Sequence, residues 1–405
     1  MRHLPYWLDR FPKSRRPSYP KLKGNPETRV AIVGGGLTGA ACALAFATAG
    51  IDVVLLESNV VGGGATAGAD GLLREGFSGS FSRVAAQHGL RHARALSEAM
   101  RRGSLDFAAV LRRNKIRCDL GPTELFTVAA ATPEASKRLR REQGARKDAG
   151  ASGTWVTAAA LVREAALDAG GAIRTHGAAI DPYRACVGLI AAAAARGASI
   201  HEHSTVNRIR PSARGVEVTT SAAVVRADAV LVATSAPLSD LRALRRHLIS
   251  QHHYSVVTEP LPAAVRRQVG KRAATIELDA PADRLVQWIG EDRVMVRGGR
   301  QQAVPQRLRE RALVQRTGQL MYELSLLYPA ISGVRPEWSW DTDDYETVDG
   351  LPFVGVHRNF PRHLFAFTPV SQGAGLSWTA ARILLRQYQG DPGRGDEAFG
   401  FSRIL

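Results

Sequence analysis

From Thr28 onward the chain alternates short apolar runs with longer stretches in which small and apolar residues recur every three or four positions. Residues 29–33 form a buried-strand run, 37–49 a helix of small and apolar residues closed by Gly50, and 52–56 a second strand. That order predicts a βαβ unit. A Gly-rich loop follows (Gly62, Gly63, Gly64, Gly68, Gly71), then long amphipathic helices from about 82 to 114, strand-like alternation over 116–131 and a charged helix over 133–149. Asp181 and Pro182 make an N-cap and N1 pair for a helix running to Arg196, with Gly197 as its C-cap. Strands are expected at 199–201, 205–209, 216–220 and 229–233, and an antiparallel sheet over 252–300, with strands at 255–258, 285–289 and 294–297. The chain returns to strand at 364–368, turns at Gly373 and Gly375, and ends in a helix over 376–389 stopped by Gly390. Residues 1–28 hold five of the 20 prolines and read as an extended arm laid on a surface.

Length and composition narrow the class. A chain of 405 residues has room for two intertwined domains, and 45% hydrophobic with 22% charged residues is ordinary globular usage. Cys42, Cys118 and Cys186 stand far apart and form no CxxC pair, which predicts a reducing, cytoplasmic setting. No run approaches the roughly 18 apolar residues of a membrane span. The Arg15-Arg16 pair has no apolar stretch after it, so it is not an export signal. A net charge of +17 favours anionic partners. The arginines are scattered and lack interleaved aromatics, so they read as a solvated basic surface, open at most to weak peripheral contact with a membrane, and not as a nucleic-acid site.

The clearest chemistry joins the first strand to its helix. Gly34, Gly36 and Gly39 are spaced G-x-G-x-x-G at the place a dinucleotide fingerprint occupies. Gly34 permits the tight turn, Gly36 lets the backbone approach a pyrophosphate, and Gly39 lets the helix pack on the strand. The helix start, at Leu37 and Thr38, offers amides to phosphate. Glu57, 18 residues after Gly39, is placed to accept hydrogen bonds from a ribose diol. NAD and FAD both use this fingerprint. Its place near the start of the chain and the second Gly-rich segment just after Glu57 favour FAD, which needs a long cradle.

Further segments match a known pattern in order: Tyr6-Trp7-Leu8-Asp9, the loop 61–66, Ile180-Asp181-Pro182, the strands 202–206 and 230–234, Thr258-Glu259-Pro260-Leu261, Gly298-Gly299-Arg300, the run 349–355, and Gly373-Ala374-Gly375. On these motifs the chain resembles the flavoproteins of the D-amino-acid oxidase, sarcosine oxidase and glycine oxidase superfamily, and within it the gamma-glutamylputrescine oxidoreductase-like members. The resemblance implies an α/β (α+β) two-domain flavoprotein. A Rossmann-like FAD-binding domain (29–100, 155–245, 340–405) would interleave with an antiparallel-sheet substrate domain (101–154, 246–339). Implied FAD contacts are Gly34, Gly36, Leu37, Thr38, Gly39, Glu57, Ser58, Gly64, Ala65, Thr66, Val206, Ala233, Thr234, Gly355, Gly373, Ala374, Gly375 and Leu376. The helix after Gly375 would aim its N-terminus at the pyrimidine end of the flavin, where reduction places negative charge.

The implied activity is oxidation of a small amine or amino acid at its C–N bond, with hydride passing to flavin N5, the imine hydrolysing, and O2 or another acceptor taking the electrons. No obligatory base is implied. Arg74 aligns with a carboxylate-binding arginine of sarcosine oxidases, and Tyr254, Arg297 and Arg300 fall where the substrate sheet should face the flavin. Two positions depart from the family pattern: Ala374 stands where His, Gln or Asn is usual, and Ala69-Asp70-Gly71 replaces Asn-Gly-Gly. Both lie near the expected meeting of flavin and substrate. The paired histidines His201 with His203 and His252 with His253 have no carboxylate or cysteine at usual metal-site spacing, so no metal is expected. A nicotinamide-dependent dehydrogenase and a non-catalytic flavin-binding or basic scaffold protein are the alternatives that these residues leave.

Overall fold

The computed structural model describes residues 1–234, 238, 241–279 and 283–404. Its first sheet has eight strands. Five of them, Phe360–Phe367, Val224–Val232, Glu27–Val33, Val53–Leu56 and Ser199–His201, lie side by side in parallel, and Phe353–His357 adds an antiparallel edge. Alternation along these strands feeds two cores. Val30, Ile32, Val53 and Leu55 face the helices Leu37–Thr48, Pro182–Ala194 and Gly375–Gln389. Ala31, Val33, Val54 and Leu56 face the hairpin Val206–Pro211 and Val216–Thr220, with Phe353, Phe365 and Phe401. Both faces are covered, so the strands are apolar without interruption.

The second sheet has nine strands, mostly antiparallel, in the order Pro336–Thr347, Leu248–Thr258, Arg293–Gln302, Leu285–Ile289, Ala274–Leu278, Gly121–Val128, Ala172–Ala179 and Leu72–Arg74, with Thr154–Val156 alongside Ala172–Ala179. One face packs Tyr254, Val256 and Val296 against Leu313, Leu320 and Leu324 of the helix Gln306–Leu327. Val257 and Met295, on the opposite face, pack with Ala67 of the Gly-rich loop.

Three segments join a different sheet from the one expected, the shortest being Leu72–Arg74, which pairs with Ala172–Ala179. Residues 155–179, assigned by sequence to the cofactor unit, supply Ala172–Ala179, which pairs along its whole length with Gly121–Val128. Residues 340–347, assigned likewise, complete Pro336–Thr347 beside Leu248–Thr258. Neither of these two longer segments carries an apolar strand signal: the former is rich in alanine and the latter is acidic. The amphipathic stretch 82–114 is broken into Phe81–His88 and Leu90–Arg113 at Gly89, whose φ is 86°. The alternation at 116–131 resolves into one strand, Gly121–Val128. The helix capped by Asp181 stops at Ala194, short of Gly197, and Asp181 accepts the Arg184 amide as an N-cap should. The N-terminal arm carries a short helix, Tyr6–Arg10, and a 3-10 turn, Lys13–Arg15, and is tied to the surface by side chains and by a backbone bridge between Arg2 and Trp338.

Candidate functional site

The turn after Glu27–Val33 is built as the fingerprint requires. Gly34 has φ 108°, and a β-carbon there would lie 2.7 Å from the Ala233 carbonyl oxygen. A β-carbon on Gly39 would sit 1.9 Å from the Gly34 carbonyl oxygen, so only glycine lets the helix approach the strand. Gly36, the N-cap, meets nothing closer than Thr66 Oγ1 at 3.2 Å and leaves a cradle that a larger side chain would fill. The Leu37 amide donates to Thr66 Oγ1 at 2.8 Å, which ties the Gly-rich loop to the helix start. Sequence reasoning placed Thr66 at the cofactor without foreseeing this link.

A narrow cleft opens at this turn. Gly36, Leu37 and Thr38 line it together with Ala65, Thr66, Ala69, Ala233, Thr234, Thr368, Pro369, Val370, Gly373, Ala374 and Ser377. Segments far apart in sequence thus meet at one place. Glu57 stands beside the turn, accepting from the Gly35 amide at 2.7 Å, the Asn59 amide at 2.8 Å and the Ser58 hydroxyl at 3.1 Å. Ser58 and Gly64 are exposed near this turn, and Val206 begins the outer hairpin.

Several expected glycines also serve packing. Gly355 lies inside the strand Phe353–His357, opposite Phe365, and makes room for Gln387 of the last helix, so it is not among the residues lining the cleft. A β-carbon on Gly373 would come 2.8 Å from the Leu72 carbonyl oxygen, and one on Gly375 would come 2.1 Å from Ser104 Oγ. These two glycines let the last helix seat against Leu72–Arg74 and Leu90–Arg113, with Leu376 buried behind them.

Next to this cleft lies a larger one of about 680 Å³, lined by Asp70, Arg74, His253, Glu277, Arg297, Arg300, Glu346, Ser371 and Gln372 among others. Neighbouring residues (Ala69 and Asp70, Val370 and Ser371) line one and the other, so the two clefts adjoin. Arg74 is buried here but already engaged. It donates to Glu277 at 2.5 Å and pairs with Asp70 at 3.5 Å. Burial opposes its charge, and Glu277 and Asp70 outweigh burial and raise its pKa. The expected carboxylate grip therefore finds this guanidinium occupied.

Tyr254 faces away from the cleft, into the core beside Gln306–Leu327, where its hydroxyl accepts from Gln301 Nε2 at 2.7 Å. Its predecessor His253 lines the cleft instead, because adjacent strand residues point to opposite faces. Arg300 sits at the rim, where it pairs with Glu346 at 2.7 Å.

The ladder between Leu248–Thr258 and Arg293–Gln302 bulges at this point. His252 pairs with Gln301 and Tyr254 with Gly298, leaving extra residues opposite His253. Gly298 and Gly299, with φ 159° and 67°, accommodate that bulge, a device that re-aims side chains beside functional sites. The histidines also acquire carboxylates that sequence spacing did not show. His252 faces Asp341 and Asp343 on the helix side, where Arg309 pairs with both, and His253 faces Asp344 and Glu346 on the cleft side.

Among the described residues, several buried polar atoms without a partner lie on this cleft-side face: His253 Nε2, Ser255 Oγ, Gln287 Oε1, and Nε and Nη2 of Arg297. Buried polar groups are nearly always satisfied, so such a cluster marks where a ligand belongs. Together with the glycine cradle it fits a dinucleotide cofactor and a polar substrate. No helix among the described residues is long and apolar enough to cross a membrane.

The comparisons agree with this geometry. Gamma-glutamylputrescine oxidoreductase of Escherichia coli (strain K12) is 26% identical over 375 residues, covering 91% of this chain and 85% of its own. Glycine oxidase of Geobacillus kaustophilus is 28% identical over 343 residues, covering 81% and 84%. The crystal structure of the Geobacillus kaustophilus enzyme superposes with a TM-score of 0.75 at 22% identity, over 94% of this chain and 100% of that one. A model of the FAD dependent oxidoreductase family (DAO) matches residues 29–387, and the chain belongs to that family.

Proposed function

We propose that this protein oxidises a C–N bond of a small amine or amino acid, with FAD held along the narrow cleft and the substrate in the larger one beside it. One observation carries the reading: the fingerprint turn, the Gly-rich loop, the strand end at Ala233 and Thr234 and the turn before the last helix all line one cleft, and that cleft adjoins another with orphaned polar atoms on its wall. The names of the relatives, which act on an amine derivative and on glycine, support the substrate class. Gly36 and the amides that follow Leu37 in its helix hold the pyrophosphate, since first-turn N–H groups have no partner inside a helix and that of Leu37 is taken by Thr66. Glu57 takes a ribose hydroxyl on the one Oε2 lone pair that remains beyond its three present donors. Bound FAD supplies the two-electron acceptor.

The protein's own task is to orient the substrate carbon, keep water away and leave the amine its lone pair. Arg297, whose Nη1 is fixed by Asp70 at 2.8 Å, has further N–H groups to offer a polar substrate. Anaerobic addition of primary amines and amino acids to the FAD-loaded protein is expected to bleach the flavin, while 2-hydroxy acids of the same size leave it oxidised. Bleaching by the hydroxy acids alone would move the reading to alcohol oxidation.

A further inference from the structure

His253 and Glu346 line the larger cleft from two neighbouring antiparallel strands, Leu248–Thr258 and Pro336–Thr347, and Asp344 lies buried behind them. His253 Nε2 lies 3.4 Å from Asp344 Oδ2 and 4.0 Å from Glu346 Oε1, and the three atoms stand within 4.8 Å of one another. His253 is 4% exposed, and its Nε2 is buried without a hydrogen-bond partner among the described residues. A buried ring nitrogen left open beside two carboxylates calls for a ligand.

We propose that these three groups form a receptor for the primary ammonium group of the substrate, which gives up a proton to them before hydride leaves its carbon, an assignment that rests on the amine-oxidation reading above. The amine-oxidation reading supplies the ligand class, since two carboxylates beside an open ring nitrogen attract a cation that brings N–H donors of its own.

Charge points the same way. Burial alone pushes Asp344 up, but His253, the Val370 amide and Arg297 outweigh it and hold the carboxyl below its ordinary range, so it is ionised. Glu346 is held by Arg300 Nη1 at 2.7 and 2.8 Å, and each of its oxygens keeps a further lone pair. Asp344 also accepts the amides of Val370 at 2.9 Å and Ser371 at 3.4 Å, and Val370 lines the cofactor cleft. The receptor therefore stands where the two clefts meet.

The test uses tert-butylamine, a primary amine with no hydrogen on the carbon next to nitrogen, which therefore cannot be dehydrogenated there. Its affinity for the FAD-loaded protein is measured by isothermal titration calorimetry beside tetramethylammonium and tert-butanol, with Zn2+ as a separate probe. The receptor predicts that tert-butylamine binds and the other two organic probes bind at least tenfold more weakly. Glu346→Gln, Asp344→Asn and His253→Gln should each weaken tert-butylamine by about tenfold or more. Circular dichroism and flavin content check each variant, and Glu346→Gln, the least buried of the three, carries the test if the others fail to fold. Unchanged tert-butylamine affinity in folded Glu346→Gln, equal binding of tetramethylammonium, or Zn2+ taken up stoichiometrically and lost in His253→Gln overturns the proposal. Amines that bleach the flavin while Glu346→Gln keeps its tert-butylamine affinity sink the receptor alone. The reverse pattern, receptor binding intact but no amine reducing the flavin, sinks the oxidation reading and leaves the receptor.

Discussion

At the scale of single residues, the glycines of the fingerprint separate folding from cofactor binding. Gly39→Ala sets a methyl against the Gly34 carbonyl, at a place where the backbone cannot yield, and is expected to lower stability by about 3 kcal/mol or more in denaturant titration. Gly36→Val meets only a hydroxyl, so the variant should fold and emerge colourless; stoichiometric FAD in it would refute the pyrophosphate assignment. Glu57→Gln is expected to weaken FAD about tenfold, the loss of roughly one charge-assisted hydrogen bond, read as a dissociation constant by flavin fluorescence. Arg74 was legible as a cation near the substrate, but its partners were not, because Asp70 and Glu277 meet it only in the folded sheet. Arg74→Met takes the partner from half-buried Glu277 and leaves buried Asp70 with Arg297 alone, and should cost about 1 to 3 kcal/mol, with equal loss of activity on substrates with and without a carboxylate. The Tyr254 assignment missed by one position. A strand places neighbours on opposite faces, and nothing local says which face is the site.

At the scale of elements, the parallel strands and their helices were readable because burial on both faces leaves continuous apolar runs. Ala172–Ala179 and Pro336–Thr347 were not. The second carries Asp341, Asp343, Asp344 and Glu346, charges tolerated in a sheet only because Arg309, Arg300 and the two histidines answer them across the fold. A similar long-range answer caps the helix Phe81–His88. Glu142, from the helix Pro133–Asp148, accepts the Phe81 amide at 2.7 Å, the Ser82 amide at 3.0 Å and the Ser80 hydroxyl at 2.8 Å, and pairs with Arg146 at 2.8 Å. Burial pushes this carboxyl up, but Arg146 and Ser82 outweigh it and hold its pKa at about 2, below the ordinary 4.5. A depressed pKa contributes stability that is complete above the unfolded value and lost as pH falls through the folded one. Unfolding free energy should therefore drop by a few kcal/mol between about pH 4.5 and 2, at roughly 1.4 kcal/mol per unit, and Glu142→Gln should flatten that limb. An acid limb unchanged in Glu142→Gln would show that the cap contributes nothing.

At the scale of the whole molecule, the first sheet brings the cofactor segments together and the second supplies the substrate wall, and the bulge opposite His253 marks where that wall turns to the cleft. The N-terminal arm is fastened across this assembly by Glu202, which accepts the amides of Tyr19 and Val61, and by Trp7, which donates to the Ala69 carbonyl of the Gly-rich loop. The motif order along the chain disclosed the family, whereas the polarity of the substrate wall depended on side chains that only the folded sheet assembles. The central claim is that the two clefts together oxidise a C–N bond. Its most direct test is a single turnover of the FAD-loaded protein with a panel of primary amines and amino acids in the absence of oxygen, following flavin absorbance and assaying released ammonia. The account predicts bleaching by at least one of them, with ammonia released in step with the flavin reduced. Flavin that stays oxidised with every amine, or bleaches without release of ammonia, would contradict it.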